Sequence, residues 1–235
     1  FAGELDKAAE WADSLLELSR THGIPGAAVD AWQTLAVVRQ ARGDVGAALE
    51  ARRSAARAAS EAGLKTREAT LTINVGFALT TMGAREEARV AIEGGIALAQ
   101  AVGSPGVVRH GQMNLLCWTA NFGSEPALDA LLTEPRSIAD NAVSGGWIPH
   151  DRATLGVLFY RGVELLRGEM TPRAPATAAE QARTLLKTAA GGYRATKMLD
   201  VLPVALGLWS EAERRCGQPD RAVELATEAA NLLEH

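Results

Sequence analysis

The chain has 235 residues, 47% of them hydrophobic, 22% charged and 5% aromatic, which is enough for one or two domains with a sizeable core. A formal net charge of −4, from 24 basic and 28 acidic residues, leaves no electrostatic footprint for nucleic acid and no polybasic membrane anchor. The longest apolar run, 201–209, contains Pro203 and is too short to cross a bilayer. Two cysteines, Cys117 and Cys216, are too few for a disulfide scaffold and indicate a reducing, cytoplasmic compartment.

From the N-terminus, glycines recur at Gly3, Gly43, Gly83 and Gly123, a spacing of 40 residues held three times, and a second series, Gly23, Gly63 and Gly103, keeps the same period. Five residues after the glycines of the first series stand Ala8, Ala48 and Ala88, and the last segment repeats the pattern with Gly217 and Ala222. A repeat of this length is the signature of stacked helical units. The runs from Trp32 and from Leu71 carry apolar residues at helical spacings, and each glycine supplies the left-handed residue that closes a helix. The second segment of each unit is alanine-rich with charges on one face. No stretch alternates like a strand, so the expected fold is all-α, with about 11 helices.

The first of these helices, from about Glu4 to His22, is of the second type and has no first-type partner before it. It implies either that the array is part of a longer protein or that this helix is a natural cap. Residues 3–123 hold the regular repeats. Leu35, Val75, Leu115 and Trp209, each eight residues before a turn glycine, are the expected core of the helix pairs. Residues 124–216 are looser: the next turn glycines fall 45 and 49 residues on, at Gly168 and Gly217, Leu128 replaces the small alanine, and Pro135 and Pro203 lie in helical patterns that they should kink or shorten. Residues 169–177, with two prolines, are expected to form an exposed loop. The last repeat helix covers 217–232, and 233–235 resembles the scar of a histidine tag. We treat 1–235 as a single repeat domain.

These residues resemble the tetratricopeptide repeat family. The resemblance rests on the glycine-bounded turn, the alanine column of the second helix, and the triplets Asn74-Val75-Gly76, Asn114-Leu115-Leu116 and, more weakly, Thr34-Leu35-Ala36. The family unit is about 34 residues, and a 40-residue period resembles its longer variants in bacterial signalling and regulatory proteins. The resemblance implies a right-handed superhelical solenoid, about five helix pairs plus one leading helix, whose first helices line a concave groove. Carried onto this chain, the groove residues would be Gln33, Val37 and Gln40 in one repeat, Thr70, Ile73, Asn74, Phe77 and Thr80 in the next, and His110, Met113, Asn114, Cys117 and Asn121 in the third. Individual members of this set either face the groove or pack against neighbouring helices. An apolar floor rimmed by amides and hydroxyls suits a protein or peptide ligand.

No catalytic signature accompanies the repeat. There is no phosphate loop, no dinucleotide fingerprint, no Cys-x-x-Cys and no His-Glu-x-x-His. His110, Met113 and Cys117 share a helical face but make a weak metal set. His150 and Asp151 have no nucleophile beside them, and Asp151 suits a helix start. Neither enzymatic activity nor a cofactor or metal is therefore expected. The function expected is a non-enzymatic scaffold that binds protein or peptide. A small-effector sensor domain of a transcription activator or kinase, or a homo-oligomer formed through end helices, are the alternatives.

Overall fold

The computed structural model describes residues 2–123, 125–145, 152–168, 176–199 and 201–233. Among them the regular structure is entirely helical: α1 (Ala2–His22), α2 (Pro25–Ala41), α3 (Val45–Glu61), α4 (Lys65–Thr81), α5 (Arg85–Ala101), α6 (Pro105–Phe122), α7 (Asp129–Gly145), α8 (Arg152–Gly168), α9 (Ala176–Ala195), α10 (Leu202–Arg215) and α11 (Pro219–Leu233), with a short 3₁₀ turn at Pro126–Leu128. The all-α expectation and the number of helices are observed.

The turns explain the period. Gly23, Gly43, Gly63, Gly83, Gly103, Gly123 and Gly217 all have φ between +63° and +96°, a conformation that costs other residues about 1–2 kcal/mol. After α2 the Gly43 N–H donates to the Gln40 carbonyl and the Asp44 N–H to the Arg39 carbonyl, at 3.0 and 2.9 Å. The same pair of bonds recurs at Gly63, Gly83, Gly103 and Gly217, satisfying carbonyls that the helix end leaves open. The turn between α9 and α10 makes these bonds too, but its left-handed residue is Lys197, at φ +57°.

By its contacts the chain divides into two compact units, residues 1–118 and 119–235. In the first, α1 packs on α2, α2 on α3, α3 on α4 and α4 on α5. The alanine column sits inside: Ala48 and Ala88 are fully buried, while Ala8 is half-buried. Ala12, Ala31, Leu35, Ala36 and Ala51 form one apolar cluster, with Trp32 packed against it, and Val29, Ala55, Ala59 and Leu71 form another. Small residues let backbones approach. A Cβ on Gly76 would stand 2.5 Å from Ile92 Cγ1 and 3.0 Å from the Ala88 carbonyl oxygen. On Gly95 it would meet Ile73 Cγ1 at 2.6 Å and the Ala69 carbonyl at 3.0 Å. As residue numbers rise along α4 the partners fall along α5, so the two helices are antiparallel.

In the second unit α7 packs on α8 and α9, α8 on α9, and α10 on α8, α9 and α11. A Cβ on Gly162 would stand 2.7 Å from Leu186, and one on Gly192 only 2.1 Å from Leu155, which repeats the glycine contacts of the first unit. Ala222 and Trp209 are buried as their columns require. Two expectations are corrected here. Pro203 lies at the opening of α10, where a missing N–H breaks no helical bond, so it does not shorten that helix. The helix after Gly123 starts four residues out of phase with α5, because the 3₁₀ turn intervenes, and Leu128 is buried within that turn. Pro135 is inside α7 as expected.

Candidate functional site

The sequence-predicted groove residues fall into two groups. Gln33 and Val37 of α2 and Asn74 and Phe77 of α4 come together, with Ala36, Leu71 and Arg52, around one cleft of about 200 Å³. The floor is apolar, from Ala36, Val37, Leu71 and Phe77, and Val37 is 63% exposed although aliphatic. Gln40, near the C-terminal end of α2, is exposed and accepts a hydrogen bond from Arg52 Nη2. Thr70 is half-buried, its hydroxyl donating to the Thr66 carbonyl at 3.0 Å.

The second group does not face a groove, and this corrects the expectation for four residues. Ile73 is fully buried, against the glycines at 95 and 111. Thr80 is buried, its hydroxyl donating to the Gly76 carbonyl at 2.9 Å. Cys117 is buried, so the supposed face of His110, Met113 and Cys117 is not an open one. Asn114 is 2% exposed and its Nδ2 donates at 2.8 Å to the carbonyl of His110, one turn back on its own helix. The physical reason is the width of the buried arc: packing on both sides of a helix leaves a narrower free face than the spacing of three and four implies. His110 and Met113 are half-buried and Asn121 is exposed. His150 and Asp151 lie outside the described residues, as does Trp147. Of the other tryptophans, Trp118 and Trp209 are buried, Trp32 is half-buried and Trp11 is largely exposed.

The amides of the cleft have fixed orientations. Arg67 Nη2 donates to Gln33 Oε1 at 3.0 Å, and since a guanidinium has only donors the atom facing it must be the oxygen. Arg67 also pairs with Asp30, so its own charge is balanced. Asn74 Oδ1 lies 3.0 Å from His110 Nε2, which is also 3.4 Å from Asn114 Nδ2; the shorter contact makes the oxygen an acceptor in the tautomer protonated at Nε2. Each amide oxygen is thus turned toward a protein partner, and both amide nitrogens remain to serve a ligand.

Arg52 is the residue that sequence reasoning missed. It belongs to a second helix, α3, yet it lines the cleft. Nine residues after Gly3, Gly43, Gly83 and Gly217 stand Ala12, Arg52, Ile92 and Ala226. Ala12 and Ile92 are fully buried, so an arginine in this column departs from the pattern, and comparing the columns would have found it. Burial lowers its pKa from the ordinary value, because desolvation disfavours the charged form.

The fold and cleft together define an all-α protein of packed helix pairs, with a pocket lined by amides and a guanidinium between two first helices. No family model matches the sequence, and no curated protein matches it. Among solved structures, the fold is similar to that in the crystal structure of BtubC (BKLC) from P. vanneervenii, with a TM-score of 0.63 over 98% of this chain and 89% of that one. The identity is 15%, so the likeness is one of fold alone. No described helix is long and apolar enough to cross a membrane.

Proposed function

We propose that the chain is a non-enzymatic protein- or peptide-binding scaffold of the tetratricopeptide repeat type, working in the cytoplasm as a module of a bacterial regulatory or signalling protein. The observation that carries this reading is the cleft: Gln33, Val37, Asn74 and Phe77, from first helices 40 residues apart, line one pocket with an apolar floor. Such a pocket accepts an apolar anchor, and the amides can hold the backbone beside it. Neither Cys117 nor Cys216 is in a disulfide, and Cys117 is buried, which supports a reducing compartment.

The test is a selection of random decapeptides displayed on phage against the purified chain, with Val37→Glu and Phe77→Ala as controls. Enrichment of peptides sharing an apolar position, lost in both variants, is the expected result. A thermal shift with small metabolites and no peptide enrichment would replace the scaffold by an effector sensor. A second reading, self-association, draws support from α11, where Val223, Thr227 and Leu232 line a surface depression of about 610 Å³ and Val223 is 66% exposed. Concentration-dependent sedimentation abolished by Val223→Glu would establish it.

A further inference from the structure

We infer that Arg52 makes this cleft selective for an extended peptide carrying an aspartate or glutamate side chain next to its apolar anchor. The inference rests on the peptide-binding reading above and adds what the peptide must contain.

The polar groups around the cleft offer donors to a ligand. The oxygen of Gln33 is taken by Arg67 and that of Asn74 by His110, which leaves the two amide nitrogens. The third polar group is the guanidinium of Arg52, and none of the seven lining residues is a carboxylate. A ligand that brings acceptors therefore matches the cleft. Two of them can be backbone carbonyls, which amide nitrogens recognise whatever the sequence.

The guanidinium asks for more. The hydrogen-bond partner found for it is Gln40 Oε1, a neutral oxygen, and no carboxylate is paired with it among the described residues. Some arginines of the same unit sit in ion pairs, Arg42 with Asp6, Arg53 with Glu50 and Glu87, and Arg67 with Asp30, while Arg39 and Arg57, like Arg52, bond neutral oxygens but lie outside the cleft. A half-buried charge without a counter-charge costs stability, and it replaces residues that the column elsewhere fills with alanine or isoleucine. A residue that breaks the local rule of its column and finds only a neutral partner points to a functional position. A planar guanidinium matches a carboxylate in a two-pronged geometry. A single cation beside a small apolar pocket suits one side-chain carboxylate, whereas a chain terminus held by several cations would need a cluster that the cleft lacks.

The same phage selection, in which peptides have no free C-terminus, tests the inference. Peptides enriched on the natural chain should carry Asp or Glu adjacent to the shared apolar residue. The best of them, made with an amidated C-terminus, should lose roughly ten- to hundredfold in affinity for Arg52→Ala. Its Asp→Asn or Glu→Gln counterpart should bind both proteins equally weakly. Arg52→Lys should retain part of the affinity, since charge survives but the fork does not. The melting temperature of Arg52→Ala should change little, because a buried alanine already occupies this column at position 12.

Enriched peptides without an acidic position would overturn the inference and leave the scaffold intact. So would an Arg52→Ala variant that weakens the acidic and amide peptides alike, which is what a packing role would produce. No enrichment on the natural chain would remove the peptide reading itself, and the inference with it.

Discussion

Gly76 and Gly95 are reciprocal: each is the point at which its helix touches the backbone of the other. Gly76 of α4 faces Ala88 and Ile92 of α5, and Gly95 of α5 faces Ala69 and Ile73 of α4. The two isoleucines lie over the two missing side chains, so the pair is closed at both ends by one large residue and one absent Cβ. Close packing of this kind tolerates little added volume. In the preceding repeat the same two columns hold Ala36 and Ala55, both buried, so that helix pair already accommodates a methyl group at each position.

The neighbouring glycines Gly94 and Gly95 should therefore respond to alanine with opposite signs. A Cβ on Gly94 meets nothing within 4 Å, so Gly94→Ala gains helix propensity and stabilises by about 0.5–1 kcal/mol. Gly95→Ala forces Ile73 and the Ala69 carbonyl aside and costs about 1–3 kcal/mol. Urea unfolding of the two variants, compared at unchanged m-value, measures both. If the two substitutions shift the midpoint alike, the close approach is not real.

Lys197 offers a gain. It occupies the left-handed position that glycine holds at seven other turns, at φ +57°, and it carries the strain of a side chain there. Lys197→Gly should raise stability by about 0.5–1 kcal/mol, while Gly43→Ala, at φ +80°, should lower it by about 1 kcal/mol. Thermal unfolding of both variants decides whether the turn geometry is shared.

The turn at Lys197 also shows where the sequence stopped being readable. Glycine announces a left-handed turn, so the period of 40 and the helix boundaries from α1 to α6 were legible from spacing alone. Lysine gives no such notice, and the turn before α10 passed unseen. The start of α7 was hidden for a related reason, since a 3₁₀ turn at Pro126–Leu128 takes up residues that regular phasing assigns to helix. In the cleft, Gln33, Val37, Asn74 and Phe77 were named because the family resemblance assigns ligand contacts to the first helices, and the structure brings these four together. Arg52 was not, because it reaches the cleft from the other helix type. Ile73, Thr80, Asn114 and Cys117 were misplaced because one periodicity cannot tell which side of a helix is covered by a neighbour.

Acid should weaken the second unit through Glu211. Hydrogen bonds from Arg214, then from Arg215, bring its carboxyl down from 4.5 to about 2, against a desolvation that raises it. A depressed folded-state pKa contributes stability that is complete above the unfolded value and is lost as pH falls through the folded one. The window is thus from about 4.5 down to about 2. Glu211 also bonds Arg215 Nε, and Arg215 Nη1 donates at 2.7 Å to the Leu166 carbonyl near the C-terminal end of α8, where a cation is favoured by the helix dipole. Glu211→Gln should make the loss of stability between pH 5 and pH 2 shallower than in the natural chain. Identical pH profiles, read by circular dichroism, would show that the carboxylate is unpaired in solution.

Asn74 and Asn114 stand 40 residues apart in one column, and the structure gives them different work. Asn114 is buried and spends its amide nitrogen on the carbonyl of His110 in its own helix. An alanine there removes this extra bond while the helical N–H still serves the carbonyl, at a cost of about 0.5–1.5 kcal/mol, so Asn114→Ala should lower the melting temperature. Asn74 is half-buried, lines the cleft, and has its oxygen held by His110. Its nitrogen has no partner among the described residues and is available to a peptide carbonyl. Asn74→Ala should weaken binding of a selected peptide by about tenfold, with a melting temperature much closer to that of the natural chain. His110→Ala separates the two roles further. It frees the Asn74 oxygen, so the amide can rotate and the binding loss should approach that of Asn74→Ala, while Asn114 keeps its bond because the His110 carbonyl belongs to the backbone. Calorimetry with one amidated peptide and melting curves on all three variants give both readings. If Asn74→Ala destabilises the fold as much as Asn114→Ala and binds as before, the column is structural in both repeats and the cleft loses its backbone clamp.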